Sequence, residues 1–330
     1  MAYDGKIMRL ALQEFEKDKN AREAELRDRR ERIFQKQPRL RQIEGELHST
    51  MSRIISGALR RGTDPRPAIA ALRDENLSLQ AEKRELLERM GLPENCLEET
   101  PACSLCGDTG YRDGHVCRCL RRYYAREQKK ELSRMLDLGG QSFDTFSLQW
   151  YSEEDTEGLG ISPRENMDWV YRTCRKYAEN FGPESGSLLL TGDPGLGKTF
   201  LSAAIAREVS GNGWSVVYDT AGRIFQRFEA QKFTREEDAG DDVDRVLNCD
   251  LLILDDLGTE MTTAFIQSAL YQIVNTRLME KKSTILNTNL MPGEIARRYS
   301  PQLASRIEGE YQLLPFFGKD IRKLKKERNV

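Results

Sequence analysis

One short glycine-rich segment limits what this chain can fold into more than any other feature. It fits the pattern G-x-x-x-x-G-K-[ST], whose backbone N–H groups surround phosphates, and it reads Gly192-Asp193-Pro194-Gly195-Leu196-Gly197-Lys198-Thr199. Residues 187–190 before it read as a buried strand, and residues 200–206 after it read as a helix. We expect residues 192–200, from Gly192 to Phe200, to bind a nucleotide, with Lys198 at the β- and γ-phosphates and Thr199 on Mg²⁺.

Polar residues at the ends of two later strands complete this expectation. Residues 251–254 are aliphatic and lead into Asp255 and Asp256. Asp255 is predicted to hold Mg²⁺ through water, and Asp256 to orient the attacking water. Residues 284–288 form a further strand that leads to Asn289, which could hydrogen-bond the water or the γ-phosphate.

Helices and short apolar strands alternate from about residue 162 onward. Strands are predicted near 187–191, 214–218, 250–254, 283–288 and 310–314. This alternation is typical of an α/β fold with a parallel sheet covered by helices on both faces. The distance between the glycine loop and Asp255 predicts two intervening strand–helix units.

A cysteine-rich segment precedes this region. Cys103 and Cys106 form a C-x-x-C-G knuckle, and Cys117 and Cys119 follow as C-x-C. Thiolates at this spacing predict a structural zinc site, in which His115 could replace one cysteine. A redox pair is the rival, but no thioredoxin-like βαβ pattern surrounds it.

The first ninety residues are rich in Glu, Arg, Lys, Leu and Gln, and they predict long helices. A heptad seam runs through Ile69, Leu72, Asn76, Leu79, Lys83, Leu86 and Met90, and a second stripe through Leu40, Ile43, Leu47 and Ile54. A break at 61–67 separates them, so we predict a helical hairpin after a longer helix interrupted near Pro38. The hairpin is either a self-packed bundle or a docking arm. The predicted domains are a helical arm at 1–97, a zinc module with a linker helix at 98–140, and an ATPase domain at 141–330.

Composition bears on which partners and which cellular compartment the protein can have. The 330 residues carry a formal charge of −2, which argues against a uniformly basic nucleic-acid coat. No apolar run is long enough to span a bilayer, and the N-terminus does not begin a signal peptide. We expect a cytoplasmic protein with reduced or metal-bound cysteines and no membrane contact.

The order of these segments resembles the AAA+ ATPases of the DnaC/DnaI helicase-loader and IstB group. The cysteine module followed by Phe-Asp-Thr-Phe-Ser-Leu is similar to the DnaI-type loaders in particular. The resemblance implies that Asn289 is sensor 1, that Arg306 is an arginine finger for a neighbouring subunit, and that Arg322 is sensor 2. AAA+ proteins usually have Glu at the position of Asp256, which leaves the hydrolysis rate open.

The resemblance also implies a function and partners. The implied function is ATP-dependent loading of the hexameric replicative helicase onto single-stranded DNA, with ATP, Mg²⁺ and structural Zn²⁺ as cofactors and with self-association through the ATPase domain. The alternatives are an IstB-like helper of DNA transposition and a nucleotide-gated adaptor with negligible turnover.

A basic helix after the second strand is the predicted DNA contact. Arg223 and Arg227 lie four residues apart and could hold single-strand phosphates, with nearby phenylalanines stacking on bases. In the other interpretation this is an ordinary amphipathic helix with Ile224, Phe225 and Phe228 in the core. The basic run at 322–328 is a second candidate.

Overall fold

The protein is described by a computed structural model covering residues 3–58, 66–136, 140–155, 158, 160–233 and 237–328. Side chains are described for all of these except 51–58, 67–69, 133–136, 232–233 and 237–241. The chain forms two compact units. The helical unit comprises Glu14–Cys117, and the sheet unit comprises Met1–Gln13 with Arg118–Val330. The domain boundaries predicted from the sequence stay a prediction.

Three long helices supply most of the helical unit: α1 (Gly5–Lys36), which begins in the sheet unit, α2 (Pro38–Ala58) and α3 (Arg66–Arg89). The predicted interruption near Pro38 is confirmed, because α1 ends at Lys36 and Pro38 opens α2, where its missing N–H costs nothing. Most of the predicted break at 61–67 lies outside the described residues. The side chain of Ile54 is also outside the part that the structure describes.

The predicted hairpin of α2 and α3 is confirmed by ion pairs across it. The Arg39 guanidinium donates to both carboxylate oxygens of Glu82, at 2.8 and 2.9 Å, and Lys83 on the seam pairs with Glu44 at 2.8 Å. At the end of the predicted seam, Leu86 and Met90 are partly buried against a core cluster, and Leu87, which the seam did not include, is fully buried in it. A 3-10 helix at Glu94–Leu97 and a two-stranded hairpin of β1 (Tyr111–Arg112) and β2 (His115–Val116) complete this unit.

The sheet unit contains five parallel strands in the order β4-β5-β6-β3-β7. The strands are β3 (Ser187–Gly192), β4 (Val216–Thr220), β5 (Leu251–Leu257), β6 (Ser283–Thr288) and β7 (Tyr311–Phe316). The helices are α4 (Arg118–Leu136), α5 (Pro163–Glu179), α6 (Lys198–Gly211), α7 (Ala221–Phe233), α8 (Glu237–Asn248), α9 (Ala264–Met279), α10 (Pro292–Arg298), α11 (Pro301–Glu310) and α12 (Ile321–Arg328).

Alternation along each strand fills a core on both faces of the sheet. Leu188 and Leu190 pack with α5 and α6 on one face, whereas Leu189 packs with α7 and α9 on the other. The predicted fold class is therefore confirmed. One detail differs: among the described residues between β3 and β5, β4 is the one strand, and it is followed by the two helices α7 and α8.

Two buried polar contacts hold distant parts of the sheet unit together. Asp4, before α1, pairs with Arg245 on α8 at 2.5 Å, and its backbone N–H donates to the Tyr124 hydroxyl on α4 at 3.0 Å. Arg277 on α9 is fully buried. Its guanidinium donates to the carbonyls of Val246, Leu247, Cys249 and Ser283 and to the Thr284 hydroxyl. No helix in the described parts of the chain is both long and apolar enough to cross a bilayer.

Candidate nucleotide-binding site

The loop between β3 and α6 has a backbone that only glycine accommodates at three positions. Gly192, Gly195 and Gly197 have φ values of 141°, 80° and 98°. A Cβ atom on Gly192 would collide with the carbonyl of Phe316, and one on Gly195 would collide with the Asp320 carboxylate. The loop therefore lies close against the segment after β7, at the edge where the parallel strands end.

Lys198 lies at the centre of this loop and is almost fully buried. Its Nζ donates to the carbonyls of Gly192 at 2.5 Å and Asp193 at 2.8 Å, and to Asn289 Oδ1 at 2.8 Å. Burial lowers the pKa of this ammonium to about 8, while the nearby Asp256 and Asp255 carboxylates act in the opposite direction. The structure thus brings two sequence-predicted residues, Lys198 and Asn289, into direct contact.

Asp255 and Thr199, the two predicted Mg²⁺ ligands, also meet. The Thr199 hydroxyl donates to Asp255 Oδ1 at 3.2 Å, and the Asp255 carboxylate is buried. A carboxylate and a hydroxyl on adjacent elements are oxygen donors of the kind Mg²⁺ prefers, so these residues fit the ion.

Sequence reasoning missed the residues that hold Asp255 in place. The Tyr218 hydroxyl on β4 donates to Asp255 Oδ2 at 2.8 Å, and Asn287 Nδ2 on β6 donates to Oδ1 at 2.8 Å. Burial, followed by the Asp255 charge, raises the pKa of Tyr218 well above its usual range. A tyrosine inside the apolar stretch Val216-Val217-Tyr218 is the signal that could have found this contact, because a buried hydroxyl needs a partner.

Asp256 is exposed and has a φ of 53°, which is uncommon outside glycine. Partial burial, followed by the Asp255 charge, raises the pKa of the Asp256 carboxyl. Asp256 borders a cavity of about 320 Å³ together with Lys198, Thr199, Asn289 and Arg322.

The cavity also has an aromatic wall. Phe146 stacks on Tyr171 with ring centroids 5.3 Å apart and meets the edge of Phe200 at 5.5 Å. The Tyr151 hydroxyl donates to the Leu196 carbonyl at 2.8 Å. The aromatic segment at 141–148 therefore packs on this unit, and it forms part of the cavity lining with Trp150.

The start of α12 is fastened to the glycine loop. Ile321 N–H donates to the Gly195 carbonyl at 3.1 Å, and the Asp320 carboxylate accepts from Arg322 N–H at 2.9 Å. Lys325 and Arg328 lie over the Trp150 ring, at 5.4 and 4.7 Å from its centroid. These contacts position Arg322 at the cavity and engage part of the basic run at 322–328 within the chain.

Arg306 lies away from this cavity. It is exposed on α11, and its guanidinium is 5.8 Å from the centroid of the Tyr271 ring. It does not line the cavity formed by the described residues of its own chain.

Arg223 and Arg227 on α7 both pair with the buried Asp219 carboxylate, Arg223 at 3.8 Å and Arg227 more closely. The Arg223 side chain is 64% exposed and that of Arg227 only 24%. Phe225 and Phe228 are buried in the core, so the prediction that they stack on bases is wrong. The amphipathic interpretation describes this face of α7, because its apolar side chains cover β4 and β5.

The cysteine segment gathers its four sulfurs. The Sγ atoms of Cys103, Cys106, Cys117 and Cys119 all lie within 4.8 Å of one another, and none of the four is in a disulfide. A tetrahedron of Zn–S bonds of about 2.3 Å separates its sulfurs by about 3.8 Å, and the distance from Cys103 Sγ to Cys117 Sγ is 3.8 Å. These residues fit a zinc ion.

A buried carboxylate supports this segment. Asp108, with a φ of 58°, accepts from the N–H groups of Ala102 and Cys103 at 2.9 Å each and from Arg22 at 3.0 Å. His115 is exposed on β2 and does not belong to the cysteine group.

The loop, the acidic strand end and the five-stranded parallel sheet define a P-loop nucleotide-binding domain. The sequence pattern of the family described as IstB-like ATP binding protein matches residues 177–305. This part of the chain is therefore similar to an ATP-binding family.

Part of the chain is also similar to curated relatives and to a solved structure. The replicative helicase loader DnaC of Buchnera aphidicola subsp. Baizongia pistaciae is 32% identical over 125 residues, which are 37% of this chain and 50% of that protein. DnaC of Escherichia coli K12 is 29% identical over 137 residues, 41% of this chain and 55% of that protein. The chain thus spans about half the length of these curated relatives. A crystal structure of the DnaC helicase loader aligns with a TM-score of 0.45 and 23% identity, covering 54% of this chain and 97% of that one.

Proposed function

We propose that this protein uses ATP to place the replicative DNA helicase on single-stranded DNA. The observation that carries the proposal is the meeting of Lys198 with Asn289, and of Thr199 with Asp255, at the ends of adjacent strands in a domain related to DnaC. We expect the protein to act in the cytoplasm, where its cysteines are reduced or bound to zinc.

In the proposed site each residue has a separate task in phosphoryl transfer. The loop N–H groups from Gly192 to Thr199 and the positive end of α6 hold the phosphates, and Lys198 moves from the loop carbonyls to the β- and γ-phosphates. Mg²⁺, when bound, neutralises charge on the phosphate oxygens. Thr199 and Asp255 would hold it, and Tyr218 and Asn287 keep the Asp255 carboxylate fixed.

Asp256 and Asn289 are proposed to orient the attacking water. Both border the cavity beside Lys198, Asp256 as the exposed carboxylate and Asn289 as the amide already bonded to the lysine. Arg322 on the opposite wall is placed to stabilise negative charge that develops on the γ-phosphate. The aromatic wall around Phe146 offers the flat apolar surface that a purine base needs.

A second copy of the chain is part of the proposal. Arg306 is exposed and does not line its own cavity, which supports the proposal that it acts on the nucleotide of a neighbouring subunit. The helical unit and the cysteine module would contact the helicase, with zinc holding the 103–119 segment in its fold. Arg223 is the proposed contact of α7 with single-stranded DNA, because it is the more exposed of the two arginines.

Helicase loading is tested with the purified full-length protein and the helicase of the same organism. We expect co-purification of the two, and ATP-dependent transfer of the helicase to circular single-stranded DNA. Lys198→Ala should abolish transfer, and Arg306→Ala should abolish it without weakening ATP binding. Failure of the wild-type protein to bind the helicase at all would refute the proposal.

The IstB-type family match keeps one alternative open, a helper of DNA transposition. Binding to a transposase in place of the helicase would favour it. A nucleotide-gated adaptor is the other alternative, since Asp256 is a shorter carboxylate than the usual Glu. ATP turnover that is equal in the wild type and in Asp256→Asn, with DNA and helicase present, would favour the adaptor.

A further inference from the structure

A groove of about 260 Å³ lies beside the first two turns of α4 and shares no lining residue with the nucleotide cavity. It is lined by Arg118, Arg121, Arg122, Ala125, Gly211, Asn212 and Gly213. Its floor consists of small residues from the turn that ends α6, and its walls carry three guanidinium groups. All of its residues belong to the sheet unit.

The opposite side of α4 fixes the helix and so fixes these arginines. Leu120 and Tyr124 are buried, and Gln128 donates to the Trp214 carbonyl at 2.7 Å while accepting from Val216 N–H at 3.2 Å. Positions 118, 121, 122 and 125 follow helical spacing and therefore share the other face. The arginines of the groove therefore stand on a helix that is anchored to the start of β4.

The arginines of the groove have no acidic ion-pair partners among the residues that the structure describes. Residues 118–130 contain six basic residues and one acidic residue, in a chain whose formal charge is −2. Among the described residues, no carboxylate lies within 4.0 Å of Arg118, Arg121 or Arg122, and the buried Nε–H of Arg121 has no acceptor. Other arginines of the same unit are paired, as Arg175 is with Glu179 at 2.8 Å.

We propose that this groove binds phosphodiester groups of single-stranded nucleic acid. Guanidinium groups bind phosphate oxygens with two parallel hydrogen bonds, and small residues on the floor let a phosphate approach closely. Tyr123, with the Arg126 guanidinium 5.4 Å from its ring centroid, lies next along the helix and adds an aromatic surface for a base. The inference rests on the proposed function, in which the protein binds single-stranded DNA. It adds a second contact for that strand, separate from α7 and from the nucleotide cavity.

The test measures binding of fluorescent oligo(dT) to the full-length protein by anisotropy at several salt concentrations. Arg118→Gln/Arg122→Gln is compared with Lys176→Gln/Arg297→Gln, which removes two exposed charges elsewhere on the sheet unit. Each lost phosphate contact on a single strand lowers the slope of log K against log[salt] by about 0.7. We therefore expect the groove variant to lose about 1.4 of slope and about tenfold in affinity near 0.15 M salt, and the control variant to match the wild type.

Further outcomes separate this inference from the proposed function. Arg118→Lys/Arg122→Lys keeps both charges and should keep the slope, although with weaker binding because the paired hydrogen bonds are lost. Equal slopes for the groove and control variants, or no oligo(dT) binding by the wild type, would overturn the inference. A groove variant that binds oligo(dT) normally but no longer co-purifies with the helicase would also overturn it, because the groove would then hold an acidic protein surface. Loss of DNA binding with helicase co-purification and ATP affinity intact would support it.

Discussion

Removing one hydroxyl group, in Tyr218→Phe, tests whether the acidic strand end is held as the structure indicates. The hydroxyl donates to Asp255 Oδ2 at 2.8 Å, and the residues at both ends of this bond are buried. A hydrogen bond to a charged group contributes about 1.5–3 kcal/mol, and Phe fills the same space as the Tyr ring. We expect the free energy of unfolding to fall by this amount, which corresponds to about 3–12 °C in Tm for a domain of this size.

The matched control is Tyr177→Phe in the same unit. That hydroxyl donates to the neutral Gly186 carbonyl at 2.9 Å, so its loss should cost about 1 kcal/mol or less. Urea unfolding followed by circular dichroism gives both values. In steady-state assays Tyr218→Phe should lower kcat for ATP more than it raises KM, because Asp255 keeps Asn287 as a donor but is less well oriented. If Tyr218→Phe is no less stable than Tyr177→Phe, the account of how Asp255 is held is wrong.

Three further substitutions test other contacts. Asp320→Ala should lower ATP turnover more than ATP affinity, because it removes the side-chain cap of α12 that orients Arg322. Asp320→Asn keeps a capping oxygen and should retain most of the turnover. Equal kinetics of the two variants would contradict this. Arg277→Met should cost at least about 3 kcal/mol in urea unfolding, because several buried carbonyls lose their donor, and a wild-type midpoint would refute it. Hydrogen bonds from the Ser162 N–H and hydroxyl hold the pKa of Glu165 below its usual value, so its stabilisation is present at neutral pH and is lost as the pH falls through the folded-state pKa. Glu165→Gln should therefore lose less stability than the wild type between pH 7 and 3, and equal losses would exclude this contribution.

Sequence reasoning found the parts of the site that are encoded locally. The glycine loop needs its residue types at consecutive positions, and Asp255 directly follows an aliphatic strand, so each can be recognised without knowing the fold. The partners of Asp255 could not be found in this way. Tyr218 and Asn287 reach it because β5 lies between β4 and β6, and strand order is not written in any one segment.

Two further details also depend on packing between segments and could not be decided from one segment alone. Leu86 and Leu87 are adjacent apolar residues near the end of α3. Both pack in the cluster of Ile33, Leu40 and Leu97, and only this packing shows that Leu87 is the more deeply buried of the two. Phe225 and Phe228 suit either base stacking or a core, and the apolar surface of β4 and β5 settles the choice for the core.

The salt bridge of Asp4 with Arg245 affects how this protein can be divided for experiments. Residues before Gln13 belong to the same compact body as the sheet, with Ile7 and Ala11 buried in it. An expression clone that starts at residue 118 would leave Arg245 without its counter-ion and uncover apolar surface on α4 and β4, and one that starts at residue 141 would also lack α4 itself. Supplying residues 1–13 as a synthetic peptide, or grafting them by circular permutation, would restore what a simple truncation removes. Affinity tags are better attached at the other terminus, since a fusion to Met1 begins three residues from a buried carboxylate.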